Sequence, residues 1–126
     1  MEEQEYVAKI RSLLRQERAV EEALSVTEHG LRSHLRSPAL WCLRGDLIRL
    51  SEAYADARDE SLASYERAIH LDPGFAGAYE GLGAYYESVV GDYDRAETAF
   101  RKAVELGGGE ESRTGLTRVR SRAARA

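Results

Sequence analysis

The fold is decided by Gly77-Ala78-Tyr79-Glu80-Gly81-Leu82-Gly83-Ala84-Tyr85-Tyr86 and, after a short gap, Gly91-Asp92-Tyr93-Asp94-Arg95-Ala96-Glu97-Thr98-Ala99-Phe100-Arg101-Lys102-Ala103-Val104-Glu105-Leu106. In the first block an aromatic, Tyr79, stands four residues before a glycine, Gly83. In the second an aromatic, Phe100, stands three residues before an alanine, Ala103. The same order occurs upstream, in Ala39-Leu40-Trp41-Cys42-Leu43-Arg44-Gly45 and then Ser64-Tyr65-Glu66-Arg67-Ala68-Ile69-His70-Leu71-Asp72-Pro73. Small residues at Gly45, Gly83, Ala68 and Ala103 let paired helices approach, and Trp41, Tyr65, Tyr79 and Phe100 fill the space between them. Gly91-Asp92 reads as a turn followed by an N-cap, and Asp59 as the N-cap of the helix that carries Tyr65 and Ala68. Asp72-Pro73 ends a helix, because the residue before proline disfavours α geometry.

This register finds a third copy nearer the N-terminus. First helices align Val7, Trp41 and Tyr79, then Ile10, Arg44 and Leu82, then Arg11, Gly45 and Gly83, then Leu14, Ile48 and Tyr86. Second helices align Ala23, Ser61 and Ala96, then Thr27, Tyr65 and Phe100, then Gly30, Ala68 and Ala103, then Leu31, Ile69 and Val104. The first-helix offsets are 34 and 38 and the second-helix offsets 38 and 35. A four-residue insertion therefore separates the helices of the middle copy and a one-residue insertion those of the third, both in turns, where length is tolerated.

A helix–turn–helix unit repeated at about 34 residues, with this order of aromatic, glycine and alanine, resembles the tetratricopeptide-repeat (TPR) family. The resemblance is strong over residues 38–108 and looser over 4–37. The chain departs from the family pattern at Arg11 (usually glycine), Leu35 (proline), Ser61 (alanine) and Gly108 (proline). The resemblance implies an all-α fold, an α-solenoid of about three repeats at 4–37, 38–75 and 76–109, forming one domain over 1–126. Residues 110–126 are expected to form a C-terminal capping helix, with Leu116 and Val119 covering the last repeat and arginines facing outward.

Composition sets the function classes. Hydrophobic residues make up 43% and charged residues 32%, the balance of a folded globular chain. No stretch approaches the roughly 20 apolar residues that span a bilayer. The opening Met1-Glu2-Glu3-Gln4-Glu5 is acidic where a secretory signal is basic, and the single Cys42 fits a reducing compartment, so cytoplasmic residence without membrane association is expected. Residues 1–109 carry 20 acids and 13 bases, −7, whereas residues 110–126 carry two acids and five arginines, +3. An acidic body argues against nucleic acid as the main ligand. The basic tail, Arg113, Arg118, Arg120, Arg122 and Arg125, reads either as a solvated cap or as a contact for nucleic acid or anionic lipid.

In the TPR family the first helices line a concave groove that holds a peptide. Carried over by register, the groove positions are Ala8, Lys9, Ser12 and Arg15, then Cys42, Leu43, Asp46 and Arg49, then Glu80, Gly81, Ala84 and Glu87. Such residues either touch a ligand or simply solvate a helix face. The groove is expected to be basic at its N-terminal end and acidic at its C-terminal end, which suits a ligand of both charge signs. Some family members clamp a terminal carboxylate with lysine and asparagine, and this chain has no asparagine. Gly77 and Gly81 read either as room for a ligand backbone or as tolerated helix glycines.

No catalytic residue, metal site or cofactor is expected. His29, His34 and His70 form no i, i+4 pair, no CxxC or HExxH spacing occurs, and no histidine stands near Cys42. His34 and His70 fall near second-helix ends, where a cation suits the helix dipole. Gly107-Gly108-Gly109 lacks the lysine and serine of a phosphate loop and reads as a helix stop or hinge. The expected role is an adaptor or scaffold for a protein or peptide partner. The alternative is a self-associating subunit of a homo-oligomer, for which exposed Tyr6, Tyr54 and Tyr93 would provide sticky surface.

Overall fold

Helix boundaries follow the capping chemistry of the sequence. The computed structural model describes residues 1–16 and 19–125. Among these the chain forms α1 (Glu3–Leu14), α2 (Val20–Ser33), α3 (Pro38–Leu50), α4 (Glu60–Leu71), α5 (Ala76–Tyr85), α6 (Tyr93–Glu105) and α7 (Glu110–Arg125), and no strand. No described helix is long and apolar enough to cross a membrane. Ser37 caps α3 by accepting from Leu40 N at 3.1 Å, with Pro38 at the first helical position. The same hydroxyl donates to Glu3 Oε1 at 2.6 Å and ties α1 to α3. Asp92 caps α6 through Arg95 N, as expected. Asp59 precedes α4 but sits in helical geometry and its side chain caps nothing. Asp72 ends α4 in an extended conformation ahead of Pro73.

The two insertions become two different turns. The longer one folds into a 3₁₀ turn, Glu52–Tyr54, whose leading Ser51 accepts from Ala53 N and donates to Glu21 Oε1 at 2.6 Å. Arg58 closes it by donating from Nε to the Arg49 carbonyl at 3.0 Å. The single extra residue after α5 is absorbed as a π turn, Tyr86–Val90, a wider coil that takes one more residue per turn. It ends on Gly91 at φ +78°, a left-handed conformation that favours glycine. The glycine run after α6 is a helix stop. Gly107 has φ +88°, and Gly107 N and Gly108 N donate to the Val104 and Ala103 carbonyls at 3.0 and 2.8 Å, a Schellman closure.

Each helix packs on the next, and the odd-numbered helices also touch one another. This makes a two-layer stack with α1, α3, α5 and α7 in one layer and α2, α4 and α6 in the other. Large rings of the even layer are held by pairs of glycines. Tyr65 of α4 is fully buried, and a Cβ at Gly45 would lie 2.7 Å from its ring, while one at Gly81 would overlap it. Phe100 of α6 lies likewise between Gly83 and Gly115, where added Cβ atoms would come within 2.7 and 2.6 Å. Gly77 and Gly81 therefore differ from the sequence-based alternatives. Gly81 is required by packing, and Gly77 faces Phe75 and the Cys42 sulfur.

The first helix pair solves the same problem differently. At the ring position α2 carries Thr27, buried and donating to the Ala23 carbonyl at 2.7 Å. No ring there demands a glycine, which accommodates Arg11 on α1 and lets α3 carry the buried Leu43 at the register position of Gly81. Leu43 thus belongs to the core and not to the groove face. The aromatic of the first pair is Tyr6, which is buried, with its ring against Gly30. Tyr6 is therefore unavailable as an exposed contact, and Tyr54 and Tyr93 are partly buried.

The last helix repeats the first-helix pattern. Ser112, Gly115 and Val119 are buried and stand 34 residues after Ala78, Gly81 and Tyr85. Leu116 and Val119 cover Ala96 and Phe100, as expected of a cap. The arginines do more than solvate. Arg118 pairs with Glu87, Arg120 with Glu97 at 2.9 Å, and Arg122 lies over the Tyr93 ring at 5.8 Å.

Two stability consequences follow. Alanine is ordinarily the better helix former by about 1 kcal/mol. Gly81→Ala should nevertheless destabilise by about 1–3 kcal/mol in urea unfolding, because the methyl meets a ring with nowhere to move. Ser61 stands where Ala23 and Ala96 stand, fully buried, and its hydroxyl has no hydrogen-bond partner among the described residues. Ser61→Ala should raise stability by about 1 kcal/mol in the same assay, and a loss would mean that the hydroxyl is satisfied.

Candidate functional site

Helices α3, α5 and α7 meet over a depression of about 230 Å³. Asp46 and Arg49 of α3 and Gly77, Glu80, Gly81 and Ala84 of α5 border it, with Glu111 and Arg118 of α7 opposite and Phe100 below. Positions 46 and 49 lie one turn apart on α3, and 77, 80, 81 and 84 share one face of α5, so helical periodicity aims them into the same space.

At one end of the depression is a hydrogen-bonded network. The Tyr65 hydroxyl donates to Asp46 Oδ1 at 2.6 Å, and Arg49 Nε donates to the Tyr65 oxygen at 2.9 Å. Arg49 Nη2 stands 3.4 Å from Asp46 Oδ1, which closes the triangle. Burial raises the Asp46 carboxyl above its ordinary range, opposed by Arg49 and by the Tyr65 hydrogen bond. Burial and the Asp46 charge also raise the Tyr65 phenol, so it stays a neutral donor. Tyr65 thus serves two ends, its ring in the core and its hydroxyl in the site.

The cationic groups of the depression are already engaged. Arg49 is held as described, and Arg118 grips Glu87 through two hydrogen bonds of 2.6 and 2.8 Å. Glu80 and Glu111 have no ion-pair partner among the described residues. The Glu80 carboxyl is raised by burial, opposed by the nearby Ser112 hydroxyl, and raised further by the charges of Asp46 and Glu111. What the depression presents to a ligand is therefore carboxylate beside the glycines of α5, over the Phe100 ring.

The residues expected from the sequence separate into two groups. Asp46, Arg49, Glu80 and Ala84 converge on the depression, and Glu87 stands beside it in its pair with Arg118. Lys9 and Ser12 are exposed on α1, and Arg15 is exposed just past its end, all apart from this depression. Cys42 is buried under α5, and burial pushes its thiol well above the ordinary value. Glu111, Arg118 and Phe100 were not anticipated. For Glu111 and Arg118 the signal lies in the 34-residue step from Gly81 to Gly115, which puts them in register with Gly77 and Ala84, whereas Phe100 of α6 reaches the depression through the packing between layers.

The histidines have structural surroundings. His34 Nε2 lies 2.8 Å from the Met1 carbonyl, and His70 is exposed in the last turn of α4. Among the described residues no three His, Cys, Asp or Glu side chains gather as metal ligands would.

The chain superimposes on the crystal structure of the Sgt2 TPR domain from Aspergillus fumigatus with a TM-score of 0.79, over 98% of this chain and 82% of that one. The fold is that of a tetratricopeptide-repeat domain. Sequence identity between the two is 18%, so the likeness is one of architecture. No protein-family model matches the sequence. No curated protein matches it either.

The Glu80 environment gives a pH-dependent expectation. Its folded pKa lies above the unfolded value of about 4.3, so the folded state holds the proton more tightly. The associated stability is present at low pH and is lost as pH rises through the folded value. Glu80→Gln should therefore be more stable than the parent at pH 7.5 and equal to it below about pH 4. Urea midpoints at both pH values measure this, and an equal gain at both would assign it to something other than ionisation.

Proposed function

We propose that this TPR-fold protein is a non-catalytic adaptor or scaffold that binds an extended or helical segment of another protein in the face formed by α1, α3, α5 and α7. The observation that carries the reading is the depression at α3, α5 and α7. It gathers polar groups from three helices around a prearranged Asp46–Tyr65–Arg49 triangle. A fixed network of this kind lowers the ordering cost of binding, because its side chains are already in place. Lys9, Ser12 and Arg15 would extend contact along α1 for a longer ligand, while Cys42 would contribute only packing beneath it. The partner is a protein or peptide, and the work is done in the cytoplasm.

A second reading, self-association, draws on a different surface. Leu50 is 52% exposed and Val89 37% exposed, and both border a cleft between the two inserted turns. Apolar side chains exposed side by side favour contact with another protein surface, including a second copy.

The distinguishing experiment is affinity capture from native extract with the intact chain and with the Asp46→Arg/Arg49→Asp charge swap, read by mass spectrometry. The groove reading expects a partner retained by the first and lost at least about tenfold by the second, with unchanged helicity. A partner captured equally by both would sink the groove assignment. Recovery of nothing but the chain itself by both would favour self-association.

A further inference from the structure

Helix α5 carries a second set of side chains on its other side. Tyr79, Leu82 and Tyr86 face Thr98 and Ala99 of α6 across an open cleft of about 450 Å³, with Arg95 and Lys102 at the rim. At 3.6 residues per turn, Tyr79 and Leu82 lie roughly 150° around α5 from Glu80 and Ala84, and Tyr86 opens the π turn that follows. The cleft and the groove are therefore separate surfaces.

Every helix pair has this place, and two of the three fill it. In the first pair Ile10, with no exposed surface, and Val26 occupy the equivalent positions. In the second, Arg44 lies over the Trp41 ring at 5.9 Å and donates to Ser64 Oγ at 2.6 Å, so its arm crosses the gap. In the third pair the counterparts of Arg44 and Ser64 are Leu82 and Ala99. Neither a long arm nor a hydroxyl is present, and the cleft stays open with an apolar floor.

Its charges have one sign. Lys102 has no ion-pair partner among the described residues. Arg95 lies over the Tyr86 ring at 5.8 Å and stands 3.5 Å from the exposed-edge carboxylate of Asp92. No carboxylate borders the cleft itself. An apolar floor under a cationic rim complements a segment that is apolar on one face and acidic beside it.

We propose that the α5–α6 cleft is a docking site, distinct from the groove, for an acidic amphipathic segment of a partner protein. One aliphatic or aromatic side chain enters between Tyr79, Leu82 and Tyr86, and flanking carboxylates meet Arg95 and Lys102. Burying one such side chain corresponds to roughly a ten- to hundredfold gain in affinity.

The test uses the full chain and two fluorescent helical peptides, read by anisotropy. One peptide carries a leucine stripe flanked by glutamates, and the other replaces every glutamate with lysine. The acidic peptide should bind saturably and the lysine peptide at least about tenfold more weakly. Leu82→Arg/Ala99→Ser, which copies the closure of the second pair, should weaken the acidic peptide at least about tenfold with helicity unchanged. Lys102→Glu, a surface change, should reverse the preference and decides the matter if the double variant fails to fold. The Asp46/Arg49 charge swap should leave acidic-peptide binding as it was, whatever becomes of the groove. Equal binding of both peptides, or affinity unmoved by Lys102→Glu, would overturn the proposal. So would a dimer in sedimentation that Leu82→Arg/Ala99→Ser abolishes, since the occupant would then be a second copy.

Discussion

The stack depends on one steric arrangement, an aromatic ring of the even layer gripped between two glycines of the odd layer. Tyr65 sits between Gly45 and Gly81, and Phe100 between Gly83 and Gly115. Each ring touches the helix of its own pair and the first helix of the next. One contact therefore fixes both the pair and its successor. The glycines weaken their helices by about 1 kcal/mol each, and burial of the ring, at about 1.5–3 kcal/mol for a large apolar side chain, offsets that. Where the ring is absent, at Thr27, the glycine requirement disappears with it. Arg11 and Leu43 then occupy the corresponding positions without penalty.

The same arrangement builds the site. Because Tyr65 is pinned by its ring, its hydroxyl is delivered to a fixed point between Asp46 and Arg49. The network is therefore as rigid as the core beneath it, in contrast to a surface ion pair, whose partners must be ordered at their own cost. Phe100, held by the next glycine pair, forms the floor of the depression. Packing in the even layer thus sets the geometry of the odd face, and α7 completes that face with Glu111 and the Arg118–Glu87 pair.

Length variation between the repeats is confined to the turns and leaves the register of the stack intact. Four extra residues become a 3₁₀ turn tied down by Ser51 and Arg58, and one extra residue becomes a π turn closed by Gly91. Exposed aliphatic residues stand at both turns, Leu50 at the end of α3 leading into one and Val89 and Val90 within the other. The repeats also differ in how they fill the space between their own helices. That space is closed by Ile10 and Val26, bridged by Arg44, and left open at Leu82.

The spacing of aromatic, glycine and alanine, taken alone, determined the helix pairs, their order and the positions of both insertions, because these follow from periodicity along one chain. It also placed Asp46 with Arg49 and Glu80 with Ala84 on common helix faces, since a helix face can be counted from its register. Tertiary structure decided what depends on distance between helices. It buried Tyr6, Leu43 and Cys42, since exposure is set by what packs across from a side chain and not by its neighbours in sequence. It left the Asp59 cap unused and gave α7, besides its cover over Ala96 and Phe100, a border on the depression through Glu111 and Arg118. It also joined Arg118 to Glu87 across 31 residues of chain, a pairing that carries no local signal. Within the depression the two arginines are engaged by partners on other turns and helices, Arg49 by Asp46 and Tyr65 and Arg118 by Glu87, whereas Glu80 and Glu111 have no ion-pair partner among the described residues.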